Sequence, residues 1–162
     1  MTNVADAMLA VLIWGVVATL AMNAVIFTSQ NFGWSRLNMP LLLGTFFTGD
    51  RDSANTLGFL LYFGFGTLIA FVYYVLFTLI GGANWWRGAS VGFVHGLLVL
   101  TSLLPLLPYM HPRVASQYDG PTRMKRLEPP GFLALHYGRG TPIVTLAAHV
   151  VYGIVLGAAF AA

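Results

Sequence analysis

Charged residues are scarce in this sequence, and cysteine is absent. Only 8% of the 162 residues are charged, whereas 57% are hydrophobic. A soluble domain usually carries about a quarter charged residues, because water has to wet its surface. The absence of cysteine excludes disulfides, iron–sulfur clusters and thiolate zinc sites. We therefore expect lipid to surround most of a single domain formed by residues 1–162.

Four long apolar segments contain no Asp, Glu, Lys or Arg. A membrane-spanning helix needs about 20 mainly apolar residues, and each segment meets this length. The sequence therefore predicts an all-α membrane protein with four transmembrane helices, over about residues 7–28, 56–80, 88–109 and 141–161.

The few positive charges predict how the chain is oriented. Lys and Arg are enriched in cytoplasmic loops. The short second connection carries only Arg87, and neither tail contains Lys or Arg. We expect both termini to lie outside and the two long loops to lie in the cytoplasm. The basic residues of these loops are Arg36, Arg51, Arg113, Arg123, Lys125, Arg126 and Arg139.

The same basic loops predict contact with lipid. Basic side chains beside a membrane attract anionic headgroups, at about 1 kcal/mol per charge. An alternative is that the charges only determine topology. The distribution is typical of a membrane protein and not of a nucleic-acid-binding one, so bound lipids are expected and nucleic acid is not. The candidate headgroup residues are Arg36, Arg113, Arg123, Lys125 and Arg126.

The two long loops contain similar sequences. Residues 36–44 read R-L-N-M-P-L-L-L-G, and residues 126–134 read R-L-E-P-P-G-F-L-A. This similarity predicts two tandem helical hairpins, about 7–82 and 83–162, related as a parallel internal repeat. Chance similarity is the alternative. The apolar stretches 41–47 and 132–137 are predicted to be short interfacial helices or ordered loops packed under the bundle.

Glycines recur every four residues in several spans, which places them on one face of each helix. Such faces let helices approach closely in lipid. Two interpretations are open: the stripes pack the four helices together, or one stripe docks a partner subunit. The stripes are Gly88, Gly92 and Gly96 in the third span, Gly153 and Gly157 in the fourth, and Gly66 with Ala70 in the second.

Two histidines lie inside the predicted spans, where ionisable residues usually have a function. His95 and His149 are candidate axial ligands of a b-type haem. The predicted boundaries place them roughly 10 Å and 18 Å below the outer surface, and this difference in depth weakens a shared haem. The alternative is hydrogen bonding between helices, helped by Tyr62, Tyr152, Thr101 and Asn23.

Short motifs in the first half of the chain resemble those of a known group of proteins. The sequence G-x-x-A-T-x-x-M covers residues 15–22, and P-x-x-x-G covers residues 40–44. Both are similar to motifs in small multi-pass membrane proteins of bacteria that are grouped as domains of unknown function. The resemblance implies a bacterial inner membrane and supplies no catalytic residues.

No arrangement of residues in the sequence is typical of a catalytic or metal site, so an enzyme is not expected. The leading hypothesis is a non-catalytic accessory or scaffold subunit that packs against a larger membrane complex through its glycine-rich faces. The alternatives are a haem-b electron-transfer protein and a small transporter or channel.

Overall fold

The structure, a computed structural model, describes residues 3–116 and 120–161, and this part of the chain forms helices and no strands. Four helices are long and apolar enough to cross a membrane, which confirms the predicted all-α fold with four candidate spans. They are Val4–Asn31 (α1), Arg51–Leu79 (α3), Trp85–Met110 and Thr141–Ala159 (α6). The third comprises Trp85–Leu98 (α4), a π-helical turn at Val99–Leu103 and Leu104–Met110 (α5). Met39–Gly44 forms α2.

Three of the long helices begin a few residues earlier than hydropathy alone predicts, because polar side chains cap them. The Asp50 carboxylate accepts a hydrogen bond from the Ser53 N–H at 2.9 Å. The Asn84 side chain accepts one from the Arg87 N–H at 2.9 Å, and Asn3 caps α1 in the same way. Each cap satisfies a backbone donor that the first helical turn leaves unpaired. The helices therefore extend past their apolar segments.

The four long helices do not pack in chain order. α1 lies between α3 and α6, and α6 in turn packs against α4. The short α2 packs against α3. Although α3 and α4 follow each other in the chain, they do not pack along their lengths. The helices therefore form the row α3–α1–α6–α4, with a cleft between its two ends.

Side chains on the outside of the bundle are large and apolar, whereas many inside are small. Leu60 is 69% exposed and Leu68 is 58% exposed, as expected for a face that meets hydrocarbon. Ala18, Thr19 and Ala70 are fully buried. Small interior residues allow close helix packing in lipid, where burial of apolar surface provides no driving force between helices.

The glycines of α4 and α6 face each other. A Cβ added at Gly92 would lie 2.9 Å from the His149 carbonyl carbon and 3.0 Å from the Val150 Cα. A Cβ at Gly153 would overlap the backbone of Gly88 and lie 3.1 Å from the Gly92 Cα. Gly96 and Gly157 lie in the same contact, against His149 and against Asn84 and Gly88 respectively. These stripes are used to pack the chain against itself.

A similar contact joins α1 to α3. A Cβ at Gly66 would overlap the Thr19 hydroxyl, and a Cβ at Gly15 would lie 3.0 Å from the Thr67 Cα. Gly66 therefore also packs within the chain. Of the two interpretations of the glycine stripes, the structure supports packing of the four helices.

The π-helical turn lies just before Pro105. Proline lacks an N–H and its ring clashes with the carbonyl one turn earlier, so Pro105 removes the α-helical hydrogen bond to the Thr101 carbonyl and disfavours regular α-helix there. A π-turn is one way in which a helix accommodates such an interruption. Val99 and Leu100 of this turn are buried, and the turn places them against the loops.

The two long loops interlock beneath the bundle. The Arg36 N–H donates to the Tyr137 carbonyl oxygen at 2.6 Å, and its guanidinium lies 3.1 Å from the Glu128 carboxylate. In the other direction, Arg113 donates to the carbonyls of Thr45 and Phe46. The two loop segments of similar sequence therefore contact each other directly.

Short helical segments occur near both predicted positions, with differences in detail. The first is Met39–Gly44 instead of 41–47, because the Asn38 side chain caps it and Pro40 lies in its first turn. The second, Phe132–Tyr137, is a 3₁₀ segment. It includes Leu133 at φ 51° and Ala134 at φ 59°, a left-handed backbone that non-glycine residues rarely adopt.

His111 joins the two loops from a buried position. Its Nε2–H donates to the Leu42 carbonyl oxygen at 2.9 Å, and its Nδ1 accepts from the Arg113 N–H at 3.0 Å. Burial lowers the pKa of His111, and the nearby Arg113 charge lowers it further. A proton on Nδ1 would face the Arg113 N–H, so the folded loops require the neutral ring.

We expect acidification to destabilise the protein through His111. Because its folded pKa lies below the ordinary 6.5, the unfolded chain binds the extra proton first as the pH falls below that value. The free energy of unfolding should then decrease as the pH falls. A single titrating group can change it by at most about 1.4 kcal/mol per pH unit, so we expect a smaller decrease than this. Thermal unfolding in detergent across this range checks it. In His111→Gln this component of the slope should vanish; an unchanged slope would contradict the assignment.

The glycine contact predicts unequal effects of two identical substitutions. Gly92→Ala should lower the free energy of unfolding by about 2 kcal/mol or more, because the added methyl overlaps the α6 backbone. Gly64→Ala on α3 is the matched control, since a Cβ there meets nothing within 4 Å. It should change stability by no more than about 1 kcal/mol. Denaturant titration in mild detergent measures both, and equal losses would refute the packing role.

Candidate functional site

A cavity of about 320 Å³ lies in the cleft between α3 and α4. Residues from all four long helices line it, and Met39 and Leu43 of α2 close one end. Phe65 of α3 and Leu103 of the π-turn line the cavity and are also 51% and 46% exposed at the bundle surface. The mouth of the cavity therefore lies between these two side chains.

The cavity lies near the middle of the spans. Phe65 is the central residue of α3 (Arg51–Leu79), and His149 is next to the centre of α6 (Thr141–Ala159). Half the length of α6, which has 19 residues, is about 14 Å, close to half of a hydrocarbon core about 30 Å thick. In a bilayer, the mouth would open sideways, from mid-depth at Phe65 towards the Met110 end of the third span, from which Leu103 lies seven residues away.

The two histidines line this cavity and touch each other. The ring centroids of His95 and His149 are 4.6 Å apart, in an edge-to-face arrangement. The predicted difference in depth is therefore wrong. The third helix begins at Trp85 and the fourth ends at Ala159, so each histidine lies ten residues, about 15 Å, from the same side. The error came from the helix ends.

The geometry of the histidine pair does not fit a b-type haem. A metal–imidazole bond is about 2 Å long, so two axial rings with an iron between them have centroids roughly 6 Å apart. A porphyrin plane also separates such rings, whereas His95 and His149 are in direct edge-to-face contact. The haem alternative is not supported by these residues as the structure places them.

The hydrogen bonds of the two rings assign them opposite tautomers. The Tyr73 hydroxyl lies 3.2 Å from His95 Nδ1. An imidazole nitrogen is a stronger acceptor than a phenol oxygen, so we assign the tyrosine as the donor and place the proton of His95 on Nε2. His149 Nδ1–H donates to the Thr145 carbonyl oxygen at 2.7 Å, which leaves a lone pair on its Nε2. The pair therefore presents one N–H donor and one nitrogen acceptor.

Two buried hydroxyl groups in the walls of the cavity have no hydrogen-bond partner among the described residues. They belong to Tyr62, which is 7% exposed, and Thr145, which is 1% exposed. Leaving a buried polar group unpaired costs about 1–3 kcal/mol. By contrast, the neighbouring Tyr152 hydroxyl donates to the Gly66 carbonyl oxygen. The cavity therefore combines apolar walls with unused hydrogen-bonding capacity.

No Asp, Glu, Lys or Arg lines the cavity in the part of the chain that the structure describes. The wall consists mainly of apolar side chains, including Met22, Ile26 and Val99. A site of this kind has no countercharge to stabilise a buried ion. It can accept an uncharged molecule with a few polar atoms.

The basic residues predicted to contact lipid headgroups lie elsewhere, in the loops. Arg36 and Arg113 are used in contacts between the loops. Arg123 and Arg126 are exposed, and the Arg126 guanidinium donates to the Arg123 carbonyl oxygen. Arg123 and Lys125 line a shallow surface depression. Their binding of headgroups stays a prediction.

Sequence reasoning missed Thr145, which lines the cavity, and Tyr73, which contacts the lining residue His95. It named Tyr62 and Tyr152, which line the cavity, and also Thr101 and Asn23, which do not. Thr145 carried a signal, because it lies one helical turn before His149 in an otherwise apolar helix. Tyr73 carried none, since its contact with His95 joins helices whose relative register the sequence does not reveal.

The hydrogen bonds predict distinct spectra for the two histidines. Near neutral pH, His95 should be protonated on Nε2 and His149 on Nδ1, because Tyr73 and Thr145 fix the other nitrogens. Two-bond proton–nitrogen correlation spectra of ring-labelled protein distinguish the tautomers. In Tyr73→Phe, the preference of His95 for the Nε2–H tautomer should weaken, whereas the preference of His149 for the Nδ1–H tautomer should persist. Finding the Nε2–H form at both rings would contradict this geometry.

No protein-family model, curated protein or solved structure matches this chain. The resemblance of its short motifs to those of small bacterial membrane proteins therefore adds nothing about function. What the chain does has to be argued from the cleft between α3 and α4.

Proposed function

We propose that this chain is a non-catalytic integral membrane protein that binds a small, lipid-soluble molecule in the cleft between α3 and α4. The observation that carries the proposal is the mid-span cavity with two unpartnered hydroxyls and a histidine pair in apolar walls. Small-molecule sites typically combine apolar walls with a few placed polar groups. The cavity volume of about 320 Å³ lies at the lower end of the usual range for such sites.

The position of the mouth supports entry from the bilayer. Phe65 and Leu103 lie at the surface that faces hydrocarbon in a membrane-embedded bundle. Elsewhere the cavity is lined by Met39 and Leu43 of α2 and by His95 and Tyr152, which both pack against Tyr73. A molecule dissolved in lipid could then enter without crossing a polar surface.

The proposal includes a setting and an orientation. The bacterial inner membrane rests on the resemblance of the motifs at residues 15–22 and 40–44. The orientation, with both termini outside and the basic loops in the cytoplasm, rests on the charge distribution. The loop segments Met39–Gly44 and Phe132–Tyr137 would then lie at the cytoplasmic interface. The exposed indoles of Trp85 and Trp86 support the outer boundary, since such rings favour interfaces.

A small transporter is the second candidate, and one observation favours it. α1 packs on α3 and α4 packs on α6, so the cavity lies between the two halves of the predicted repeat. Transporters built from repeats typically bind substrate where the repeats meet. The accessory-subunit hypothesis stays a prediction, but a partner would need a surface other than the glycine stripes, which face other helices of this chain.

Filling the cavity should abolish ligand retention. Ile69 lines the cavity and Leu68, its neighbour on α3, is 58% exposed at the outer surface. Protein purified from native membranes should carry a small molecule detectable by mass spectrometry. Ile69→Trp should lose it, because the larger ring occupies the same space, whereas Leu68→Trp should retain it.

Two outcomes would contradict the proposed function. One is native protein without any co-purifying small molecule beyond bulk phospholipid. The other is equal retention in Ile69→Trp and Leu68→Trp, which would place the bound molecule outside the cleft. Flux into proteoliposomes containing the same variants distinguishes transport from binding alone.

A further inference from the structure

We infer that the ligand of this cleft is a neutral lipid whose head carries hydroxyl or carbonyl oxygens, held by Tyr62, Thr145, His95 and His149. The inference rests on the proposed function and names the chemistry of its ligand. Quinones or quinols and long-chain alcohols share this chemistry, and the experiment below distinguishes them.

The absence of charge around the cavity favours a neutral head. None of the described residues that line the cavity is acidic or basic apart from the two histidines. The histidine ring nitrogens nearest the helix backbone are occupied: His149 Nδ1–H by the Thr145 carbonyl and His95 Nδ1 by the Tyr73 hydroxyl. An ionised head would enter hydrocarbon without a paired charge, which is unfavourable.

The free polar atoms match oxygen that both donates and accepts. His95 Nε2–H is a donor and His149 Nε2 is an acceptor, while the hydroxyls of Tyr62 and Thr145 serve as either. A hydroxyl head uses both roles, and a carbonyl head accepts from the N–H and the hydroxyls. Because the Tyr62 and Thr145 hydroxyls are buried and have no described protein partner, a head that reaches them would satisfy groups that the fold leaves unpaired.

The shape of the cleft fits an apolar tail on this head. The histidine pair lines the cavity, with Thr145 one helical turn from His149 on α6. The mouth lies between the exposed side chains of Phe65 and Leu103. A head at the histidines can therefore leave its tail along the apolar walls or in the surrounding lipid. A wholly polar solute has no favourable path through this mouth.

Binding of three defined probes tests the inference. The full-length protein in nanodiscs is equilibrated with radiolabelled decyl benzoquinone, farnesol or laurate, the last being the ionised comparison. We expect saturable binding of the quinone, the alcohol or both, and weaker binding of laurate. Tyr62→Phe and Thr145→Val should each lower the affinity for the neutral probe about tenfold, which is the effect of one lost hydrogen bond.

Matched controls separate lost contacts from lost folding. Tyr62→Phe and Thr145→Val remove unpartnered hydroxyls without changing side-chain size much, so neither variant should melt below the parent protein. Tyr74→Phe changes a tyrosine of the same helix that does not line the cavity, and it should bind as the parent does. Equal weakening in Tyr74→Phe would overturn the assignment of Tyr62.

The outcomes distinguish the inference from the function on which it rests. If laurate binds tightly and Ile69→Trp abolishes this binding, the inference that the head is neutral is wrong, but the cleft is still a lipid-binding site. If a neutral probe binds equally well to the parent protein, Tyr62→Phe and Thr145→Val, the proposed contacts of the ligand with Tyr62 and Thr145 are wrong. Failure of every probe to bind the parent protein, together with native protein free of small molecules, would overturn both proposals.

Discussion

The close contact between the backbones of α4 and α6 is the constraint on which the rest of the structure depends. In hydrocarbon, apolar side chains gain little by leaving lipid for protein, so helices associate through close packing. Gly88 and Gly92 meet Gly153 and the His149 backbone with no space for a methyl group. This contact fixes the rotation and height of α4 relative to α6, and thereby brings the His95 ring against the His149 ring.

The cleft follows from where such contacts occur and where they do not. Gly15 and Gly66 join α1 to α3, while α1 also packs on α6. Small residues therefore serve the first and last contacts in the row of helices, and α3 and α4 have no comparable contact with each other. The Tyr73 hydroxyl and His95 Nδ1 bridge these two helices at 3.2 Å, and α2 covers the other end. The interlocked loops hold α2 in this position through His111 and Arg113.

The sequence predicted the four helices well because their signal is local. A long apolar run without charge has few alternatives to a spanning helix, and the caps Asp50 and Asn84 account for the early starts of α3 and α4. At the site, the errors at the start of α4 and at the end of α6 mattered, because they separated His95 and His149 in depth when the structure places them side by side. The order of the helices and the contact of Tyr73 with His95 depend on packing across the chain, which no local pattern encodes. The glycine spacing predicted that close contacts exist, but not which helix each stripe meets.

The arrangement of polar residues explains why the cleft, and not the loops, is the better candidate for function. Thr19, Ser29 and Thr101 also lie within apolar helices, and each donates to a carbonyl of its own helix. This local bond satisfies a hydroxyl in lipid at little cost. Thr145 has the same opportunity in α6, yet its hydroxyl is unpartnered within the described chain, as is that of Tyr62. A fold under selection for stability alone would gain from valine and phenylalanine at these positions, because each removes an unsatisfied group at almost constant volume. Residues that lower stability in this way are found mainly at functional sites. Here both unpartnered hydroxyls belong to residues that line one cavity.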